Sequence, residues 1–337
     1  MQFTLSVFVI SALALETLGG TWTIGDTYVG QDFLNSWSFE AEADPTGGRV
    51  TYVDQTTALN DNLTYVSSDT LIMRVDDTTV LSSSDGGRNS VRIKSNTAYD
   101  YHVVVIDVRH MPEGCATWPA FWETNDGNWP AGGEVDIDRR CQFRLSELGI
   151  FARRQHLLDA LVSGRERSND CDVNTDGNSG CGVQNPTTNS FGPDFNSAGG
   201  GWYTMERTSS EVKVWFWSRT DGSVPSDVSS GASTVNTDNW GTPAAYFPNT
   251  SCDLSSVFSS NNIIFDITLC GDWAGQSSVY SSAGCSGTCV GEVILPSSCK
   301  LLLMPAADYV NANPGGFSNA YWDVASVHVY TTETSSS

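Results

Sequence analysis

The sequence predicts an all-β protein built as a sandwich or jelly roll, and three observations lead there. Short runs rich in β-branched and aromatic residues recur along the chain. Asp-Gly, Gly-Gly and Asn-Pro pairs separate them as turn signals. Long helical periodicity and βαβ alternation are almost absent, which removes the parallel α/β folds. The clearest strands fall at residues 49–53 (RVTYV), 90–94 (SVRIK), 101–108 (YHVVVIDV), 212–217 (VKVWFW) and 324–330 (VASVHVY). No internal repeat or linker interrupts the series. One domain over 20–331 is therefore expected, with a polar, loose tail at 332–337.

Residues 1–19 read differently. An apolar run from Phe3 to Leu15 is too short to span a bilayer; it holds small residues at Ala12 and Ala14 near its end, and Gly19 and Gly20 follow it. This is the pattern of a secretory signal peptide, although it lacks a basic leader. Two glycosylation sequons, Asn62-Leu63-Thr64 and Asn249-Thr250-Ser251, suit export. A secreted, extracellular protein is expected.

Charge narrows the partners. The 17 Lys and Arg stand against 39 Asp and Glu, a formal net charge of −22. Non-specific nucleic-acid binding and adhesion to anionic membranes both need a basic surface, so neither is expected. A neutral polymer remains open, and 11 Trp with 11 Tyr lean toward carbohydrate, whose apolar C–H faces pack on aromatic rings. No Gly-x-Ser-x-Gly elbow or phosphate loop is present, and no cofactor is called for.

Nine cysteines in an exported chain point to disulfides. Zinc at Cys285-x-x-x-Cys289 would need a second pair or a spaced His, and none follows. No metal is expected. The odd count remains to be explained, and residues 137–168 bear on it. This stretch holds 7 of the 17 basic residues, one cysteine (Cys141) and a Leu-rich composition unlike its surroundings.

Just before it lies Gly132-Gly133-Glu134-Val135-Asp136-Ile137. Residues two apart on a strand share a face, so Glu134 and Asp136 are expected side by side, where like charges raise at least one pKa. Upstream stand Trp118, Trp122 and Trp129. Carboxylates next to indoles suit a sugar cleft, with rings stacking on glycosyl units while a carboxylate attacks the glycosidic bond. Trp202, Trp215 and Trp217 read equally as core or cleft residues, and Trp322 as core. His110 and His328 read as structural, while His102 shows no partner in the sequence.

The runs TWPAFWE and WPAGGEVDI resemble glycoside hydrolase family 16, in particular its fungal laminarinase-like endo-β-1,3(4)-glucanases. Residues 199–207, 213–219, 269–275 and 319–324 carry the likeness across nearly the whole mature chain. The resemblance implies a concanavalin-like jelly-roll β-sandwich with an open substrate cleft on its concave sheet. It also implies endo-acting hydrolysis of β-1,3 or mixed β-1,3/1,4-glucan with retention. The motif E-x-D-x-x-E makes Glu134 the nucleophile and Asp136 the residue that holds and tunes the neighbouring carboxyls. Trp122 and Trp129 would line the glycone side, and Trp273 a further wall. β-Glucan is the expected partner, and the protein is expected to act as a monomer.

The motif's second Glu, the acid/base, is missing: position 139 is Arg. Arginine keeps its proton near neutral pH and serves neither half of that role. A separation of five also requires a β-bulge to bring position 139 back to the face of Glu134. Ile-Asp-Arg-Arg-Cys-Gln can be encoded by codons that, read one base later, give Ser-Ile-Glu-Gly-Val-Asn. A shifted frame over 137–168 accounts for the Arg enrichment, the odd cysteine and the missing Glu together, whereas a genuine divergent insertion makes them three coincidences. Two other readings stay open at this point: a catalytically impaired glucan-binding homologue, and a transglycosylase of the same family.

Overall fold

A computed structural model of the chain describes residues 20–82, 85–139, 147–151, 165–168, 171–172, 174, 180–250, 252–289 and 309–332. The expected signal peptide, Cys141, His156, Cys299 and most of the 137–168 stretch lie outside the described residues. The described strands, numbered β1 to β19 along the chain, form two large antiparallel sheets and one small parallel pair.

The first sheet runs β16 (Thr234–Asn236), β1 (Thr21–Tyr28), β19 (Tyr321–Thr331), β8 (His102–His110), β14 (Gly201–Arg207), β15 (Glu211–Ser218) and β17 (Ala245–Pro248). The hairpin of β4 (Thr64–Ser67) and β5 (Thr70–Arg74) joins it at β19. The second sheet runs β12 (Arg165–Ser168), β13 (Cys181–Gln184), β11 (Glu147–Phe151), β10 (Glu134–Arg139), β9 (Thr117–Thr124), β18 (Asn261–Leu269), β7 (Arg92–Tyr99) and β2 (Trp37–Phe39). β3 (Val50–Tyr52) and β6 (Arg88–Ser90) pair in parallel. Helices are short, none exceeding six residues among those described. The sandwich expected from the sequence is present.

Period-two alternation sorts each strand between its two faces. Phe121 of β9, Val135 of β10, and Ile263, Phe265, Ile267 and Leu269 of β18 turn inward from the second sheet. Val104, Ile106 and Val108 of β8, with Tyr203, Met205 and Val214, meet them from the first. Each such side chain contributes roughly 1.5–3 kcal/mol on burial. Trp322 is buried here at 1 % exposure and donates its indole N–H to the Asp266 carbonyl over 3.1 Å, a core residue as expected.

β8 is apolar on both faces because the far side of the first sheet is covered as well. Val103, Val105 and Tyr330 lie there under Trp22, Trp202, Trp215, Trp217 and Trp240. Trp240 packs edge-on against Trp215 at 5.2 Å. Trp202, Trp215 and Trp217 thus belong neither to the core between the sheets nor to the face of Glu134. Strand periodicity gives which residues share a side but not which layer covers that side.

Three disulfides join described cysteines: Cys115–Cys285, Cys171–Cys181 and Cys270–Cys289. Cys285 and Cys289 are therefore cross-linked to two different segments, which disposes of the zinc alternative at that pair. Cys252 is buried and joins no other cysteine among the described residues, and its thiol is raised above its ordinary pKa by burial and by Asp253. No described helix is long and apolar enough to cross a membrane.

Candidate active site

The site rests on the outer face of the second sheet, where β10, β9 and β18 lie side by side. Thr124, Trp122 and Ala120 alternate along β9, opposite Glu134, Asp136 and position 139 of β10. On the other flank of β9, Trp122 pairs with Ile264, Ala120 with Asp266 and Trp118 with Thr268 of β18. Trp118, Trp122, Glu134, Asp136 and Asp266 therefore share one face, as the spacing of Glu134 and Asp136 predicts.

The register of β10 shifts once. Asp136 stands opposite Trp122, but Asp138 already stands opposite Phe121. One extra residue has entered β10, a β-bulge of the kind the motif requires. Ile137 and Asp138 both fall on the Phe121 side, buried at 0 % and 2 % exposure. The backbone register then returns position 139 to the side of Glu134, opposite Ala120.

Glu134 and Asp136 are 6 % and 3 % exposed. Trp129 leans over the edge of the face, half exposed, and donates its indole N–H to Glu134 Oε2 over 2.7 Å. An N–H aimed at one carboxylate oxygen fixes the group's rotation. The turn before Glu134 is equally constrained. Gly133 has φ +76° and sits so close to Phe258 that a Cβ would lie 2.4 Å from its Cδ1. Thr124 Oγ1 donates to the Gly133 carbonyl over 2.8 Å.

Trp122 lies beside the pair but is engaged on two sides. Its indole N–H donates to Asp266 Oδ2 over 2.8 Å, and the Arg92 guanidinium covers one ring face at 5.2 Å. Arg92 also pairs with Glu40 at 2.7 Å, and Lys94 with Asp126 at 2.6 Å and with Glu40. Burial alone would raise the Glu40 pKa, but Arg92 and Lys94 overcome it and hold the carboxylate below its usual range. Reading the sequence did not single out Arg92, Lys94, Glu40, Asp126 or Asp266. A signal existed for two of them: Arg92 and Lys94 alternate on one strand in a chain poor in bases.

Trp273 does not stand beside Glu134. It meets Trp118 edge-on at 5.6 Å, at the far end of β9. Six residues separate Trp118 from Thr124, about 20 Å along an extended strand. The site is thus a long strip with indoles at both ends, the shape an extended chain ligand needs. Its Trp273 end rests on an unusual turn. Ala116 and Cys270 both adopt positive φ, 72° and 63°, and the Cys270 N–H donates to the Ala116 carbonyl over 2.8 Å. Backbone strain of this kind persists only where the surroundings over-determine it. Here disulfides at Cys115 and Cys270 do so. No cluster of three or more metal-ligating side chains occurs among the described residues.

Comparison with known proteins agrees with this geometry. A family model described as an XgeA-like catalytic GH16 domain matches residues 37–330. A probable endo-1,3(4)-β-glucanase of Aspergillus niger is 37 % identical over 97 % of this chain and 42 % of its own length. This chain spans about half the length of most of the curated relatives it matches. Laminarinase 16A from Phanerochaete chrysosporium, solved with two β-glucans in donor and acceptor sites, is 54 % identical. It superposes with a TM-score of 0.86, covering 92 % of this chain and 100 % of that one. A solved elongating β-1,3-glucosyltransferase of GH family 16 is 33 % identical with a TM-score of 0.79, over 92 % of this chain and 100 % of its own.

Proposed function

As the chain belongs to glycoside hydrolase family 16, we propose that it is an endo-acting glycosidase cleaving β-1,3 or mixed β-1,3/1,4 linkages of β-glucan with retention. The observation that carries this reading is the contact of the half-exposed Trp129 with Glu134 on the outer face of the second sheet. A carboxylate oriented by the N–H of an exposed indole is poised to meet a sugar ring stacked on that indole. Glu134 attacks the anomeric carbon, the glycosidic C–O bond breaks, and a glycosyl-enzyme ester forms. Water then attacks from the face the leaving group vacated and displaces Glu134, and the second inversion restores the original configuration. Asp136, next along the face, tunes and holds the neighbouring carboxyl. Trp129 and Trp122 bound the strip near Glu134, and Trp273 with Trp118 receives a more distant part of the glucan. Secretion through residues 1–19 fits a polymer that does not enter cells.

The leaving oxygen needs a proton, and the second step needs a base. Both come from one carboxyl roughly 5–5.5 Å from the nucleophile in retaining enzymes. The register leads to position 139 for it, where this chain has Arg. We read 137–168 as a shifted-frame segment whose native codon at 139 specifies Glu. The burial of Asp138 on the Phe121 side supports this, because the shifted reading puts Ile there. Resequencing the transcript over codons 134 to 170 tests it. An in-frame message encoding Arg139 removes the idea and favours a glucan-binding homologue with impaired catalysis.

The nucleophile can be tested in the chain as it stands. With 2,4-dinitrophenyl β-laminaribioside the phenolate leaves without a proton, and azide attacks the glycosyl-enzyme without a base. The expected result is a burst of dinitrophenolate and an azide-dependent β-laminaribiosyl azide, both lost in Glu134→Ala. No burst, or a burst that survives Glu134→Ala, overturns the assignment. The likeness to the elongating glucosyltransferase favours a second reading in which another sugar replaces water as acceptor. Longer products from laminarin oligosaccharides would identify that outcome.

A further inference from the structure

Behind Glu134 the apolar interior gives way to a buried ion cluster. Glu123 of β9 pairs in register with Val135 and turns inward, 0 % exposed. Its Oε1 lies 2.7 Å from Arg207 Nε and its Oε2 lies 3.1 Å from His102 Nε2. Arg207 and His102 are cross-strand partners on β14 and β8, so the cluster pins the two sheets together. His102 Nδ1 lies 2.8 Å from the Asp100 carbonyl, an acceptor only, and therefore carries a proton.

Arg207 reaches further than Glu123. Its Nη2 donates to the Tyr99 carbonyl over 2.8 Å and its Nη1 to the Ser259 carbonyl over 3.2 Å, while its guanidinium lies 5.2 Å from the Phe258 ring. Phe258 and Ser259 are the residues that grip the turn before Glu134. Phe258 occupies the space where Gly133 would carry a Cβ, and the Ser259 N–H donates to the Gly132 carbonyl over 3.2 Å. An unbroken path of contacts thus runs from Glu123 through Arg207, Phe258 and Ser259 to Gly132, Gly133 and Glu134.

We propose that the buried Glu123–Arg207 pair is a positioning device for Glu134, holding the 258–259 turn against Gly132-Gly133 so that the carboxylate starts its strand in the attacking orientation. This rests on the reading of Glu134 as nucleophile. Stability gives no reason for the pair, since replacing a buried ion pair with apolar side chains of similar volume is often neutral or stabilising. Placement of a reacting group is different: a misplacement of about 1 Å can cost on the order of 100-fold in rate.

The test compares the parent chain, Glu123→Gln and the double variant Glu123→Gln/Arg207→Met in the dinitrophenyl laminaribioside assay, with melting temperature and laminaritetraose affinity measured alongside. In the double variant the melting temperature returns to the parent value, affinity stays within about twofold, and the burst rate constant remains down by roughly tenfold or more. Stability restored together with the burst rate overturns the proposal, because the pair would then serve folding alone. Should Glu123→Gln fail to fold, the double variant carries the comparison by itself. A parent chain with no burst refutes the nucleophile reading, and hydrogen exchange across 128–136 then decides the positioning. Faster exchange there in a double variant of parental melting temperature supports it, and unchanged exchange overturns it.

Discussion

Trp129 and Glu134 are joined by an indole N–H donated over 2.7 Å to a carboxylate oxygen, with the indole half exposed and the carboxylate almost covered. The pair links the surface that meets a ligand to the group proposed to react with it. Trp129→Phe keeps a ring and deletes the donor. A hydrogen bond to a charged acceptor contributes about 1.5–3 kcal/mol. At this half-exposed position the lower figure applies, so the dinitrophenolate burst should slow by about tenfold. A burst rate unchanged within twofold would show that the contact does not hold the reacting carboxylate.

Gly133→Ala should be costly for two independent reasons. The residue sits at φ +76°, and a Cβ would lie 2.4 Å from Phe258 Cδ1. Left-handed strain and overpacking each cost about 1–3 kcal/mol. Urea denaturation should therefore show a loss of roughly 3 kcal/mol, with the burst rate reduced as Glu134 shifts. A variant as stable as the parent would mean that the turn relaxes freely.

The Trp118–Trp273 end depends on cross-links. The Cys270–Cys289 bridge spans 19 residues, a loop for which the chain-entropy account gives about 3 kcal/mol. Cys289→Ser should lower the melting temperature and release the turn that presents Trp273. Laminari-oligosaccharide affinity should weaken several-fold while the burst rate at saturating substrate holds. Equal losses in both would place Trp273 at the reacting centre instead.

Acid should destabilise the fold through two imidazoles. Burial lowers the pKa of His110, stacked on Tyr321 at 3.8 Å, and of His328, which faces Thr27 Oγ1 at 3.3 Å. The unfolded chain then takes up protons first, at the ordinary histidine value near 6.5. Their contribution is complete above that pH and is lost as pH falls toward the depressed folded values. The melting temperature should drop between pH 7 and 5, and less so in His110→Asn/His328→Asn. An identical slope in the double variant would exclude the two rings as the cause.

Much of the site is legible in the chain because it depends on local period. Glu134 and Asp136 share a face by strand alternation, and a separation of five to position 139 demands the bulge found between Asp136 and Asp138. Arg92, Asp266 and Glu40 are not legible there, because they come from segments far apart in sequence that only the fold places around Trp122. His102 shows no partner in the sequence, yet Glu123 waits for it across the sandwich at 3.1 Å. Trp215 and Trp217 are ambiguous in the sequence for the same reason, since the segment that covers them carries Trp240.

Strand alternation, turn chemistry and the Trp and carboxylate spacing determine the fold class and the strip of indoles and carboxylates from sequence alone, since each acts over a few residues. Tertiary structure decides which layer covers each indole, which charges neutralise one another inside the sandwich, and which end of β9 receives Trp273. Those outcomes depend on contacts between strands whose order in the sheet is unrelated to their order in the chain, and no local pattern encodes them.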